Sequence, residues 1–276
     1  MEKLKNEFAT LRLQDRDLRL LVYMAANHFA PTDIIRDLFW NEKKTNAYNR
    51  RLRKLRKLGL VEPHTSTRAH TLSYRITDHG RGILNARGIS PLVSGARRNY
   101  GSTYHHDRKV HYVRQIFESS SCVGSFYSEL EVQKMLADRH GAQEEKDERY
   151  RIPDALVTLK RPNECLRAAI ELEISDKSLK QKQRMFELLA TSHDFDCTLV
   201  VANTNKHKEQ LERILEDARK ENPTLKYDGQ KHGFYFITYD DLLRDRKQAK
   251  FQGQGGYFSL QSLESELLQM SSKVSP

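Results

Sequence analysis

The sequence predicts an α+β protein with two domains, and three observations support this fold class. Residues 1–112 hold 22 Lys and Arg against 10 Asp and Glu, a net charge of +12, whereas residues 113–276 hold 25 and 27, a net charge of −2. The basic part has apolar residues at helical spacing and then two short strands. The near-neutral part alternates predicted strands and helices. A basic domain joined to a near-neutral one indicates that the first domain binds a polyanion.

Composition excludes several classes of protein. The mean hydropathy is −0.75 and 30% of the residues are charged. No apolar run approaches the roughly 18–20 residues of a membrane span, and the first residues lack the apolar core of a secretory signal. The three cysteines, Cys122, Cys165 and Cys197, form no disulfide or zinc motif and fit a reducing compartment. We therefore expect a cytoplasmic protein without a membrane span.

Three helices are predicted in the basic part. Apolar residues recur at three- and four-residue steps before Pro31, which opens a second short helix. The third helix, over residues 45–58, has leucines at a spacing of three and six Lys and Arg with no Asp or Glu. Gly59 then ends this helix. The alternative interpretation is a solvent-exposed helix face with no binding role. Six like charges repel each other without a polyanion, however, and this favours a DNA-binding helix.

A hairpin and a further helix complete the basic domain. Two strands, residues 60–64 and 71–77, flank a polar turn, and Asp78 is the predicted N-cap of the next helix. This order resembles a winged helix-turn-helix domain, whose third helix enters the major groove of DNA. The two asparagines are candidates to contact adenine edges, and the cations to contact phosphate. The expected DNA-binding residues are Asn46, Asn49, Arg50, Arg51, Arg53, Lys54 and Lys57 on the helix, and Arg68, His70 and Arg75 on the hairpin.

Changes in composition divide the chain further. Residues 1–92 form the predicted DNA-binding domain, and residues 93–106, rich in Gly, Ser and Arg, form a linker. Residues 107–250 form the α/β domain, and residues 251–276 form a tail that is either flexible or a short helix docked on a partner. The histidines near the linker lie in no His-hydrophobic-His motif and are interpreted as helix-start and surface groups. They are His105, His106 and His111.

Acidic residues lie on two predicted strands of the second domain. The strands, residues 153–159 and 166–174, are joined by a short turn, and a lysine-rich helix follows them. Glu171 and Glu173 are two residues apart and share one face of a strand, and the hairpin brings Asp154 beside them. Buried carboxylates are costly unless something compensates their charge. Oxygen ligands of this kind suit Mg²⁺ or Mn²⁺, which can activate water for phosphodiester hydrolysis.

This hairpin resembles the PD-(D/E)XK nuclease superfamily, through Pro153-Asp154, Glu171-x-Glu173 and Lys177. It departs from the superfamily pattern because Glu173 stands where a lysine is usual, so a displaced lysine must serve. The alternative is a surface hairpin with incidental acids. The resemblance implies a site with Asp154, Glu171, Glu173 and Lys177 as catalytic residues, Lys180 as the second choice of lysine, and Asp154, Glu171, Glu173 and Glu129 as metal ligands.

The two domains together resemble the replication-relaxation family, which includes the MOBC-type plasmid mobilisation relaxases, over about residues 10–245. The resemblance implies a bacterial enzyme that binds double- and single-stranded DNA at a plasmid origin of transfer and nicks one strand to start conjugation. It also implies two protein partners, an accessory relaxosome protein and the coupling protein of a secretion channel. The nucleophile is water or a tyrosine such as Tyr100, Tyr104 or Tyr127.

Two other classes of function stay open. The displaced lysine favours a non-catalytic DNA-binding regulator of plasmid replication or transcription. A restriction-type or mobile-element endonuclease would cleave both strands, which normally requires a dimer. The sequence does not determine the DNA target, the polarity of the nick or the oligomeric state.

Overall fold

A computed structural model of the chain shows a mixed α+β fold. Its described part contains ten α-helices, one sheet of three strands and one of seven. The chain divides into two compact units, Met1–His111 and Tyr112–Pro276. In the described part, no helix combines the length and the apolar character that crossing a membrane requires. The structure describes residues 13–40, 45–64, 72–89, 104–140, 151–174, 177–222, 225 and 232–273.

The first unit combines helices with a small antiparallel sheet of strand order β1-β3-β2. Strand β2 pairs with β3 from Val61 opposite Ile76 to His64 opposite Ser73, which confirms the predicted hairpin. The turn that carries Arg68 and His70 lies outside the described residues. The elements are α1 (Asp15–Ala26), β1 (Ala30–Pro31), α2 (Thr32–Phe39), α3 (Thr45–Lys57), β2 (Val61–His64), β3 (Ser73–Ile76) and α4 (Asp78–Ala86).

Helix α3 follows the predicted range closely. Leu52, Leu55 and Leu58 are buried, because a spacing of three residues keeps them on one face of the helix. Gly59 has a φ of 67°, in the left-handed region that glycine adopts without strain, and Leu60 donates its backbone N–H to the carbonyl of Leu55. The apolar face is therefore used for packing, and the polar face holds the cations.

Two local predictions in the first unit are wrong. Thr77, not Asp78, is the N-cap of α4, since its hydroxyl accepts the backbone N–H of Gly80 at 3.0 Å. His111 is not a surface group: it is buried, with its Nδ1 2.6 Å from the hydroxyl of Tyr23. The periodicity of the helix that carries His111 did not reveal this partner, because Tyr23 lies far away in the sequence.

The predicted linker, residues 93–106, lies outside the described residues except for its last three. These three begin helix α5 (Tyr104–Glu118), which starts earlier than the sequence indicated. The division of the chain at His111 falls within this helix, after the predicted boundary at residue 106.

The second unit is built around a mixed sheet of strand order β10-β9-β8-β7-β6-β5-β4. The central strands β6, β7 and β8 are parallel, and the outer pairs are antiparallel. A register shift, or β-bulge, between Val123 and Ser125 interrupts strand β4. The strands are β4 (Val123–Ser128), β5 (Ala155–Lys160), β6 (Cys165–Glu173), β7 (Cys197–Ala202), β8 (Gly233–Thr238), β9 (Phe251–Gly253) and β10 (Gly256–Phe258).

A hydrophobic cluster joins this sheet to its helices. Met185 and Phe186 pack with Leu211, Val200 and Phe236. Every residue of β7 is buried, which fits its nearly all-apolar sequence. The helices of the second unit are α6 (Glu129–His140), α7 (Leu179–Thr191), α8 (Asn205–Glu221), α9 (Tyr239–Asp245) and α10 (Leu260–Lys273).

The predicted tail is largely a structural part of the second unit. Residues 251–273 form the β9–β10 hairpin and helix α10, and Phe251, Leu260 and Leu263 are buried. The carboxylate of Glu264 accepts the backbone N–H of Ser121 at 2.6 Å. Of the two alternatives, a flexible tail and a helix, the structure shows a helix, and its Leu260 and Leu263 are buried within this unit, whereas Leu268 is 70% exposed. The glycine-rich segment before it forms a short hairpin that composition alone did not reveal.

Candidate functional site

The predicted acidic residues come together at the ends of three neighbouring strands. Ser128 of β4 pairs with Ala155 of β5, and Ala155 pairs with Ile170 of β6. The next residue along each strand at this edge is acidic. The register thus brings Asp154 beside Glu171, as the hairpin prediction required, and Glu129 follows Ser128 as the first residue of α6.

The fourth acid is Glu173, and the pleat of β6 places it on the same face of the strand as Glu171. Glu171 and Glu173 are both fully buried. Asp154 accepts the backbone N–H of Leu172, which lies between them, through its Oδ2 at 2.7 Å. The carboxylate of Asp154 is therefore fixed against the strand that carries both glutamates.

Arg151 is a member of this cluster that the sequence reasoning missed. Its Nε and one terminal nitrogen donate to the two oxygens of Glu171 at 3.1 and 2.8 Å. The same terminal nitrogen lies 4.0 Å from Oε1 of Glu173. A bidentate pair of this kind is a strong charge-assisted interaction. The sequence did contain a signal for Arg151: buried acids need a nearby cation, and this arginine comes just before the Pro153-Asp154 motif.

The displaced lysine has a clear position. The Nζ of Lys177 donates to Oε1 of Glu173, so Lys177 reaches the acids. Lys180 is exposed at the start of α7 and forms no ion pair with any residue the structure describes. The second oxygen of Glu173, Oε2, is buried and has no hydrogen-bond partner among the described residues. Of the two candidate lysines, Lys177 is thus the one beside the acids.

Burial and charge perturb the titration of this cluster. Burial, reinforced by Asp154, raises the pKa of Glu171 to about 7, although Arg151 partly opposes the shift. Burial lowers the pKa of Arg151, but the attraction of Glu171 outweighs it, so the pKa of this guanidinium rises above its usual value. Proton affinities shifted in this way are typical of functional sites.

The donor set has the right chemistry for Mg²⁺ or Mn²⁺, because it consists of carboxylate oxygens and includes the unpartnered Oε2 of Glu173. In the described residues, however, no group of three or more His, Cys, Asp or Glu is arranged to hold a metal ion. Arg151 instead covers Glu171, and Lys177 contacts Glu173. Glu129 is only partly buried at the start of α6. A metal could use these oxygens only if the cations moved aside.

The second set of predicted residues lies on α3. Arg50, Arg53, Lys54 and Lys57 are exposed. Arg51 is not available to DNA in the same way, since its Nε donates to Oδ1 of the fully buried Asp17 at 2.8 Å. We correct this prediction: Arg51 connects α3 to α1, because an unpaired buried carboxylate would be destabilising.

The other predicted contacts have mixed positions. Arg75 forms a surface ion pair with Glu62, the residue opposite it in the hairpin, at 2.6 Å. Asn49 is partly buried on α3. The backbone of Asn46 belongs to the same helix, and its side chain lies outside the described part of the chain. Arg75 thus keeps partial access to solvent.

The candidate tyrosine nucleophiles differ in their surroundings. Tyr100 lies outside the described residues. Tyr104 is buried, stacks on Phe29 at 4.9 Å between ring centroids, and its hydroxyl lies 2.9 Å from that of Ser73. Tyr127 is partly buried against the hydrophobic cluster of the second unit. Tyr104 is therefore a core residue, which is a poor position for a nucleophile.

A comparison of the chain with protein-family models, curated proteins and solved structures finds no match. Two residue sets remain as evidence from the structure: the acidic cluster of Asp154, Glu171 and Glu173 with its cations, and the exposed basic face of α3.

Proposed function

We propose that this protein is a metal-dependent DNA endonuclease in which one unit binds DNA and the other cleaves it. The observation that carries the proposal is the convergence of Asp154, Glu171, Glu173 and Lys177 at adjacent strand ends. The exposed cations of α3 supply a surface for the phosphate backbone. Acids with a neighbouring lysine are the groups that metal-assisted phosphodiester hydrolysis requires.

In the proposed site, Asp154 and Glu171 hold Mg²⁺ or Mn²⁺, and the free Oε2 of Glu173 joins them or orients water. The metal, when bound, lowers the pKa of a bound water and stabilises negative charge on the phosphate. Lys177 contributes a positive charge beside Glu173. Arg151, which pairs with Glu171, would have to give up this contact for the carboxylate to hold a metal, and its guanidinium could then contact a DNA phosphate.

We also propose a fold type for each unit and a more specific activity. The helix–hairpin order of the first unit supports a winged-helix fold, and the strand positions of Asp154 and Glu171 support a PD-(D/E)XK-like second unit. With the sequence resemblance, they favour a bacterial, cytoplasmic relaxase that nicks one strand at a plasmid origin of transfer. An accessory relaxosome protein and a secretion-channel coupling protein are the partners that go with this function.

Incubation with a supercoiled plasmid that carries the protein's own origin region tests the proposal. We expect open circles with Mg²⁺ or Mn²⁺, none with a chelator, and none with Asp154→Ala or Glu171→Ala. Glu209→Gln, which changes an exposed acid on α8, is the matched control and retains cleavage. Linear product would instead indicate cleavage of both strands, as in a restriction-type or mobile-element enzyme.

A second function is favoured by a specific observation. Arg151 and Lys177 already compensate Glu171 and Glu173 without a metal ion. This arrangement is the one expected for a non-catalytic regulator of plasmid replication or transcription that retains DNA binding. Tight binding to the origin, with no cleavage under any of the metals, would support the regulator and contradict the endonuclease.

A further inference from the structure

A small basic hollow lies in the first unit, between the start of α1 and α3. Its volume is about 160 Å³, and its lining includes Arg16, Trp40, Arg50, Arg51 and Lys54. A liquid water occupies about 30 Å³, so the hollow has room for a phosphate group with neighbouring water.

The charges around the hollow are unbalanced. Asp17 compensates Arg51 through a salt bridge. Arg16, Arg50 and Lys54 form no ion pair with any described residue. With no acid among the described residues to pair with them, these three cations repel each other, and a bound anion would relieve this repulsion.

Arg16 provides an oriented donor. Its guanidinium carbon lies 4.5 Å from the centroid of the Trp40 ring, and one terminal nitrogen donates to Oε1 of Gln14 at 3.3 Å. The Nε of Arg16 is buried and has no hydrogen-bond partner among the residues that the structure describes. Because the buried Nε is closed to a group the size of water, a phosphate oxygen in the hollow would contact the terminal nitrogens of this guanidinium.

We propose that this hollow is a phosphate-binding pocket in which Arg16, held against Trp40, donates to a phosphate oxygen while Arg50 and Lys54 add charge. The proposal rests on the proposed DNA-binding function, because a phosphate of the DNA backbone is the expected occupant. Free phosphate offers the same chemistry from another source. The planar guanidinium favours a phosphate over a monatomic anion, since its N–H groups match phosphate oxygens.

The composition of the chain supplies a direct probe. Trp40 is the only tryptophan, so its fluorescence, excited where tyrosine does not absorb, reports on the hollow. We would titrate the full chain with a duplex oligonucleotide and separately with inorganic phosphate, and follow oligonucleotide binding by anisotropy as well. Both ligands are expected to change the Trp40 emission with saturation.

Two variants of Arg16 and one control test the pocket. Arg16→Gln and Arg16→Lys both remove the planar guanidinium, and Arg16→Lys keeps the charge. We expect both to weaken oligonucleotide binding roughly ten- to a hundredfold and Arg16→Gln to reduce the salt slope by about one. Arg19→Gln removes an exposed cation from the same helix and should retain the Trp40 response. Thermal melting confirms that each variant is folded.

The outcomes separate this proposal from the function on which it rests. Unchanged oligonucleotide binding and Trp40 response in folded Arg16→Gln would overturn the pocket and leave DNA binding intact. Saturable, Arg16-dependent binding of inorganic phosphate, without oligonucleotide binding, would support the pocket and contradict DNA binding. A lack of response to either ligand would contradict both.

Discussion

The guanidinium of Arg151 occupies both carboxylate oxygens of Glu171, at 3.1 and 2.8 Å, in a site where Glu171 is fully buried. In the proposed enzyme Glu171 would also be a metal ligand, so the arginine and the metal would compete for its oxygens. Folding without metal and cleavage with metal thus depend on the same carboxylate, and this competition can be measured.

Arg151→Gln should lower the free energy of unfolding by about 3–5 kcal/mol in chelator, because it leaves a buried acid without its partner. Adding Mn²⁺ should restore part of the loss by binding the freed oxygens. Urea unfolding measures both effects. The control, Arg161→Gln, removes an exposed pair with Glu164 and should change stability little. A Mn²⁺ effect no larger in Arg151→Gln than in the control would contradict the competition.

Glu171 should make stability depend on pH. Its folded-state pKa, about 7, lies above the ordinary value of 4.5, so the folded protein binds the proton more tightly than the unfolded chain. Its contribution is fully present below pH 4.5 and is lost as the pH rises through 7. The stability difference between wild type and Glu171→Gln, from urea unfolding across this range, should therefore decrease with rising pH. A constant difference would show that Glu171 has an ordinary pKa.

Arg51 and Arg53 should separate stability from DNA binding. Arg51→Ala leaves the buried Asp17 without its ion pair and should lower the free energy of unfolding by about 3 kcal/mol. Arg53→Ala changes an exposed cation and should leave the melting temperature unchanged while weakening DNA binding. Melting and anisotropy measure the two effects. If Arg51→Ala weakened DNA binding without lowering stability, while Arg53→Ala left DNA binding unchanged, Arg51 would be the DNA contact.

Two glycines of α4 form a matched pair. A Cβ on Gly80 would lie 2.3 Å from the backbone oxygen of Leu60, so Gly80→Ala should destabilise the first unit by more than about 1 kcal/mol. Gly82 has no atom within 4 Å of such a Cβ, and Gly82→Ala should stabilise the helix by roughly 0.5–1 kcal/mol. Urea unfolding checks both signs. Equal effects would contradict the close approach of α4 to Leu60.

The sequence was most informative where one periodic pattern decides the structure. The nearly all-apolar segment Cys197–Ala202 forms the fully buried strand β7, and the leucines of α3 are buried as their spacing indicated. Alternation along β6 correctly placed Glu171 and Glu173 on one face. These patterns are local, so no knowledge of distant residues was needed.

Predictions failed where a distant partner decides the role of a residue. In the sequence Arg51 is indistinguishable from its exposed neighbours on α3. The structure shows that it pairs with the buried Asp17 on another helix. Arg151 belongs to no motif, and only its hydrogen bonds in the folded protein show that it meets Glu171. His111 likewise depends on Tyr23. A single sequence contains the partners but not the pairing between them.

The interrupted strand β4 also affects how separate copies of the chain behave. It is one edge strand of the seven-stranded sheet, and its bulge at Val123–Ser125 breaks the regular row of backbone donors and acceptors. The other edge strand, β10, has only three residues. Long, flat edge strands can pair with strands of other molecules. The bulge in β4 and the shortness of β10 therefore both act against β-aggregation of the folded protein.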